Sequence, residues 1–473
     1  MIRRDPLELE QYCFRCGCRA LRARALHPSG AEVFDIAVCT RTARCRQRLD
    51  SLATKDLASV PTNAAVSFVS LRALNAGTAQ QMQLDRPSIT CVVAEQLDAG
   101  VPPLPNITVA VLHVAPINPE TAVDTFPSCV LWELHHHATD AHIDALCRAG
   151  RKVRMLDVSD SVVSDEGLRR AAEQFADSLE SLSVRGMRQI SNSAIVAVAS
   201  KCLRLRRLDV SFSSEKITDP AIFAVAQHCQ QLLTLDVGGT TVTDNSICEV
   251  ARRCPLLREL DVSATNGRIS DRSVAEIARR CPELEVLNVS STQGTVTDVS
   301  IEAVAQSCIG LRSLSVTFTS GAITDASIDK VVANRKLQAL FVCHTEGKVT
   351  DTSIMTLPRC PELLSLDVGF TGGKITDKSM IEVARHCRRL RTLSVCGTMG
   401  AITNATIREL SNHASELEAL YFARTGRQIT AETVLDVAKQ CRRLEVLQVG
   451  PLMADPDFLA SLATRRPTCI AVA

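Results

Sequence analysis

The chain has 473 residues, of which 46% are hydrophobic, and its 53 Lys and Arg offset 52 Asp and Glu to a net charge of +1. That balance excludes a whole-chain field advertising nucleic acid or membrane as the partner, while the length leaves room for more than one domain. Aromatics are only 3%, so the core must come from Leu, Val, Ile, Ala and Cys, which suits thin repetitive packing better than one large globule.

The opening Met1 to Glu8 has no apolar signal run and is too acidic for a transit peptide. No stretch reaches the roughly 18 apolar residues of a membrane span. Residues 1–50 differ in kind from the rest. Cys13-x2-Cys16-x-Cys18 followed by Cys39-x5-Cys45 resembles a zinc ribbon or treble-clef knuckle, with Cys13, Cys16, Cys39 and Cys45 as tetrahedral ligands and Cys18 as a variant for Cys16. The competing reading is a handful of unmetallated thiols. A segment with so few apolar residues would hardly fold alone, which favours structural zinc as the cofactor. Ligands are too few for a two-zinc RING. Eight arginines between Cys13 and Arg48 face Glu32 and Asp35, so this module is a dock for RNA or an acidic protein, or plain solvated charge. Stacking aromatics such as Tyr12 and Phe14 are sparse, which weakens single-strand recognition.

Residues 51–150 read as linker and degenerate short repeats with little helix, interrupted by Pro102, Pro103, Pro105, Pro116 and Pro119. Faint strands lie at Phe68-Val69, Cys91-Val92-Val93, Val111 to Val114 and Trp132 to His136. Glu133, His135 and His137 alternate and so share one strand face, with His113 and Asp157 as expected lateral neighbours. Such a cluster can hold zinc or titrate near neutral pH; a polar sheet surface explains it equally.

Residues 151–450 carry a regular repeat. A Leu-x-[Val/Phe] strand recurs at Leu156, Leu182, Leu208, Leu235, Leu260, Leu287, Leu314, Leu340, Leu366, Leu393, Leu420 and Leu447, in steps of 25 to 27 residues. Each strand has period two, and the following segment has an i, i+3, i+4, i+7 stripe such as Ile301, Val304, Ala305 and Cys308, a helix with one buried face. Thr297 stands at the N-cap and Asp298 adds charge to the first turn. Pro255, Pro282 and Pro361 follow helix ends, and Gly294 and its equivalents mark a tight turn. A Thr five residues past eight of these leucines (240, 265, 292, 319, 345, 371, 398, 425) is expected to bond backbone groups between adjacent turns. Arg335 replaces the helix Cys, and Pro358 interrupts a helix. Strands about 4.8 Å apart beside helices needing roughly twice that force a right-handed horseshoe with a concave parallel sheet and convex helices. Residues 451–473 have room for a helix and a strand at Cys469 to Val472 that cap the end.

Helix cysteines recur at 202, 229, 254, 281, 308, 360, 387 and 441, on neighbouring helices too far apart to bridge, so they are expected to stay reduced. That implies an intracellular, reducing compartment, whether cytoplasmic, cytoskeletal, flagellar or nuclear.

Cys-Pro-x-Leu-x-x-Leu-x-Val followed by Ile-Thr-Asp-x-Ser-Ile resembles the cysteine-containing leucine-rich repeats of F-box proteins and their relatives, over about residues 150 to 450. The resemblance implies an α/β solenoid that captures ligands on its concave face or rim. Thr stands where that family usually has Asn or Cys.

The residue after each strand Leu is expected to face solvent on the concave side. There Asp209, Asp236 and Asp261, with Glu259 beside them and Asp367 further on, make an acidic surface for a basic partner, and Phe341 and Tyr421 are outward anchors. Small polar surface residues and incidental exposure are the plainer alternatives. No nucleophile elbow, P-loop, HExxH or dinucleotide fingerprint occurs, so no enzyme and no small-molecule substrate is expected. The expectation is a protein-binding scaffold, a structural or assembly subunit of a flagellar or ribonucleoprotein particle, with nucleic acid reached through the basic N-terminus. The alternative is substrate recognition in a cullin ubiquitin ligase, against which stands the lack of a recognisable F-box in residues 60 to 130.

Overall fold

A computed structural model describes residues 10–12, 19–26, 33–38, 68–71, 74–85, 89, 91–94, 97–112, 118–134, 138–213, 215–426, 428–444, 446–449, 458 and 470–472. Cys13, Cys16, Cys18, Cys39, Cys45, His113, His135 and His137 lie outside the described residues. The chain packs as two units, Met1–Val242 and Thr243–Ala473.

The first unit opens with an antiparallel sheet of Glu10–Tyr12, Arg19–Leu26 and Val33–Val38. A parallel sheet then runs through Phe68–Leu71, Cys91–Ala94, Val109–Leu112, Leu131–Glu133, Met155–Asp157, Ser181–Ser183, Arg207–Asp209 and Thr234–Asp236, each strand bonded to the next. The second unit repeats the plan with Glu259–Asp261, Val286–Asn288, Ser313–Ser315, Ala339–Phe341, Ser365–Asp367, Thr392–Ser394, Ala419–Tyr421, Val446–Gln448 and Ile470–Val472. In both units each regular strand is followed by a helix, so the architecture is a repeating α/β solenoid. Neighbouring strand leucines stand in register, Leu287 between Leu260 and Leu314, and all three are buried. The helix stripe Val274, Ile277, Ala278 and Cys281 is buried with them. Burying both faces of that layer is the main driving force for stacking.

Three features differ from the sequence reading. Residues 51–150 contain more helix than expected, at Ala76–Asp85, Pro119–Thr125 and Asp140–Arg148; short apolar segments between prolines still bury a face when they stack on a neighbour. The strand register there also moves by two residues. Trp132, which is fully buried, pairs with Leu156 and takes the strand-leucine position. Glu133 therefore stands beside Asp157, in the place expected for His135, and Val111 stands where His113 was expected.

The third difference concerns what joins adjacent turns. Apart from Thr398, the repeated Thr hydroxyls bond within their own turn: Thr292 donates to the Val289 carbonyl at 3.0 Å and Thr319 to that of Val316 at 3.0 Å. The hydroxyl is too short to reach the next turn once its rotamer faces the carbonyl three residues back. Asp at the first helical position makes the link instead. Asp298 accepts the Thr324 N–H at 2.9 Å and the Thr324 hydroxyl at 2.6 Å, and Asp271, Asp351 and Asp377 hold Thr297, Thr376 and Thr403 in the same way. Each such Thr also caps its own helix, as Thr297 does by accepting from Val299 N–H. One hydroxyl is thus donor to the previous repeat and acceptor within its own.

The helix cysteines form no disulfides among the described residues, and those of adjacent repeats contact carbonyls: Cys281 approaches the Cys254 oxygen at 3.5 Å and Cys308 the Cys281 oxygen at 3.5 Å. Burial pushes the thiols of Cys202, Cys254, Cys281, Cys308 and Cys387 up to about 12. Where Arg335 replaces the cysteine, the helix Asp325–Ala333 ends one residue early and Asn334 donates to the Ala305 carbonyl at 2.8 Å. Pro358 reduces its helix to Asp351–Ile354 and a short 3₁₀ turn, Leu357–Arg359, as a missing N–H requires.

Candidate protein-binding face

The residue after a strand leucine leaves the buried face because side chains alternate along a strand. At this position the chain bends out of the strand, leaving an N–H two residues on. Asp and Asn accept it. Asp209 accepts from Ser211 at 3.0 Å, Asp236 from Gly238 at 3.1 Å, Asp261 from Ser263 at 2.9 Å, Asn288 from Ser290 at 3.0 Å and Asp367 from Gly369 at 2.9 Å. A short acceptor side chain is what this local bond requires.

Three of the acidic residues are less open than expected. Asp209, Asp236 and Glu259 are 2%, 5% and 5% exposed, so they are buried rather than solvent-facing. Tyr421 is also buried, at 6%, beside Ser394 on the neighbouring strand. Asp261, Phe341 and Asp367 keep part of their surface open. Asp261 uses its second oxygen to accept from the Asn288 side chain at 2.7 Å. Phe341 lies between Ser315 and Asp367 by strand register, a ring flanked by small or polar groups.

In the first unit Glu133 and Asp157 are adjacent and buried. Burial and then the Glu133 carboxylate push the Cys91 thiol up. Among the described residues no group of three or more His, Cys, Asp and Glu is placed to hold a metal ion. Among them, too, no helix is long and apolar enough to cross a membrane.

A second set of residues, missed in the sequence, lies just past the strands within each unit. Four residues past the strand leucine the backbone turns left-handed, with φ of 52° at Phe212, 54° at Phe318, 55° at His344 and 53° at Phe370. Bulky side chains are uncommon there, and the conformation is strained. The turn lets each N–H continue the ladder: Phe212 donates to Gly238 at 2.7 Å, Phe318 to Cys343 at 3.1 Å and His344 to Gly369 at 3.1 Å. The rings consequently point along the stack. Phe318 stacks on His344 with centroids 4.1 Å apart, and His344 on Phe370 at 4.4 Å. The far side of Phe370 meets Gly397, where a Cβ would clash. The signal was legible as an aromatic or His four residues past Leu208, Leu314, Leu340 and Leu366, just beyond the alternating strand.

The in-register parallel strands, each followed by a helix, resemble the architecture of leucine-rich-repeat proteins. No protein-family model matches it, and no curated protein matches it. Among solved structures it is similar to a chain of the yeast Rad7 and Elc1 complex, at 11% identity and a TM-score of 0.48, over 78% of each chain. It is similar to an internalin from Listeria monocytogenes at 20% identity and a TM-score of 0.42, over 69% of this chain and 88% of that one. A leucine-rich-repeat protein of Leptospira interrogans matches at 13% identity and a TM-score of 0.38, over 89% of this chain and 99% of the other.

Proposed function

We propose that this chain is a non-enzymatic protein-binding scaffold, a structural or assembly subunit that holds a partner on the sheet face of its repeats. The observation that carries the reading is Phe341: a large apolar ring kept partly open on a sheet face, between Ser315 and Asp367. A ring ringed by polar groups is the anchor pattern that interfaces use. Asp261 and Asp367 supply charge for a basic partner in the second unit, beside the buried Glu259, and Asp209 and Asp236 are the buried acidic residues at the same strand position in the first unit.

The N-terminal segment is a second anchor, with zinc held by Cys13, Cys16 or Cys18, Cys39 and Cys45. In support, Tyr12, directly before Cys13, pairs with Arg19, and Val38, directly before Cys39, pairs with Leu21, so the chain enters both cysteine groups from one end of the sheet. Metal analysis of the purified full chain should find zinc; a metal-free chain whose first fifty residues resist protease overturns this part.

The scaffold reading is tested by affinity capture of the tagged full chain from its own cells, with Phe341→Ala beside it. Loss of about 2 kcal/mol of binding, some thirty-fold, is expected from an interface anchor, with the circular dichroism unchanged. Retention of every partner by Phe341→Ala overturns the reading. Recovery with a cullin and its adaptor would replace the assembly role with substrate recognition.

A further inference from the structure

Four residues past a strand leucine, the first unit contains one complete seat for a guanidinium, and the second unit contains one that lacks its occupant. In the complete seat, Phe212 has its far face against Gly239, and the Arg185 guanidinium lies over the other face, 4.9 Å from the ring centroid. The same guanidinium donates to the Ser211 hydroxyl at 3.3 Å. The seat therefore consists of a ring face, a hydroxyl one residue before the ring, and an arginine from the preceding repeat, three residues past its strand leucine.

Phe318 repeats this arrangement in the second unit. Its φ of 54° matches that of Phe212, and its far face is covered, here by His344. Thr317 stands where Ser211 stands, so a hydroxyl again precedes the ring, and its carbonyl accepts the Ser291 N–H at 2.8 Å. Ser290 stands where Arg185 stands, and a serine is too short to lie over the ring. Among the described residues no cation and no second ring covers this face of Phe318, which is half exposed.

Charge on the neighbouring face points the same way. In the second unit the positions just before, just after and three past the strand leucines, from Leu260 to Leu420, hold Glu259, Asp261 and Asp367 and no Lys or Arg. The first unit has Arg207 and Arg185 at those positions. A cation for the Phe318 seat must come from outside that face.

We propose that Phe318 and Thr317 form a seat for an arginine side chain of a protein partner, which stacks its guanidinium on the ring as Arg185 does on Phe212. The proposal rests on the scaffold reading and names the chemistry of the partner: a basic segment bearing arginine rather than lysine. A planar guanidinium stacks on a ring and donates to a neighbouring hydroxyl at once, which a compact ammonium does not.

The test uses the full chain with short fluorescent oligo-arginine and oligo-lysine peptides of equal length, read by anisotropy at physiological salt. Oligo-arginine is expected to bind about three-fold tighter than oligo-lysine, the worth of one exposed cation–π contact. Phe318→Ala should abolish that preference. Ser290→Arg should abolish it too, by filling the seat from within while leaving the ring in place, so a folding defect in one variant does not decide the matter. Phe212→Ala, whose seat is already filled, should leave the preference unchanged. Equal binding of the two peptides, or a preference that survives both Phe318→Ala and Ser290→Arg, overturns the proposal. So does an oligouridylate that outcompetes oligo-arginine through Phe318, since the face would then serve a base. If Phe341→Ala abolishes partner capture while the peptide preference ignores Phe318, the seat fails and the scaffold stands. The reverse pattern sinks the scaffold and leaves the seat.

Discussion

Asp298 illustrates how little a single residue's type reveals of its work. At the first position of a helix, its charge favours the positive end of the helix dipole. Its two oxygens, however, hold the N–H and hydroxyl of Thr324 in the next repeat, at 2.9 and 2.6 Å. Asp298→Ala should destabilise the chain by about 1–3 kcal/mol, because a part-buried N–H and hydroxyl lose their acceptor. Asp298→Asn should be milder, since Asn404 already holds the Thr430 N–H at 2.9 Å in the same position. Chemical denaturation of the two variants checks both statements. The carboxylates also make stability depend on pH. Burial raises the pKa of Asp165 and Asp377, but bonds from Ser191 and Ser193, and from Thr403 and Thr406, outweigh it, and both end below the usual aspartate value. A group whose folded pKa is depressed contributes stability that is present above its unfolded value, about 4, and lost as pH falls through the folded one. The denaturation midpoint should therefore drop below about pH 4, and Asp377→Asn should lose less over that window than the parent. An unchanged slope for Asp377→Asn would remove this carboxylate from the acid response.

Elements were read well wherever one repeat predicted the next. Strands from Leu156 to Leu447 and the helices between them follow from period-two and period-3.6 patterns that recur in step. Reading failed where the pattern was borrowed across a change of spacing. Carrying the pattern upstream placed His135 beside Asp157, whereas Glu133 stands there and Trp132 fills the strand-leucine site, because a strand accepts any large apolar residue and register is decided by pairing with Leu156. The repeat without a helix cysteine shows the opposite case, where chemistry changes and geometry persists. Asn334 reaches the Ala305 carbonyl at 2.8 Å in place of a thiol. Asn334→Ala should cost about 1 kcal/mol by leaving that carbonyl without its donor, measured by urea denaturation. No loss would mean that the early helix end at Ala333 satisfies this segment by itself.

At the scale of the molecule, repeats that touch only their neighbours should fail locally before they fail together. Leu287→Ala removes a fully buried side chain from the middle of the second unit and should cost about 2–5 kcal/mol. Hydrogen exchange should then rise first in the strands of Leu260 and Leu314, which pair with it, and last at Leu420. A uniform rise across the unit would show one cooperative block instead. By itself the sequence determined the α/β repeat, its period, its buried stripes and the residues of each helix start, because these follow from local periodicity and from which side chains can bury without penalty. Tertiary structure decided which polar groups meet. It turned the aspartates after the strand leucines inward to cap their own turns, assigned the link between repeats to Asp and the following Thr, and lined up Phe318, His344 and Phe370. The last two outcomes depend on distances between residues some 26 positions apart, whereas the aspartates bond an N–H only two residues on. A pattern of residue types carries the spacing of such groups along the chain, and only packing sets their spacing across it.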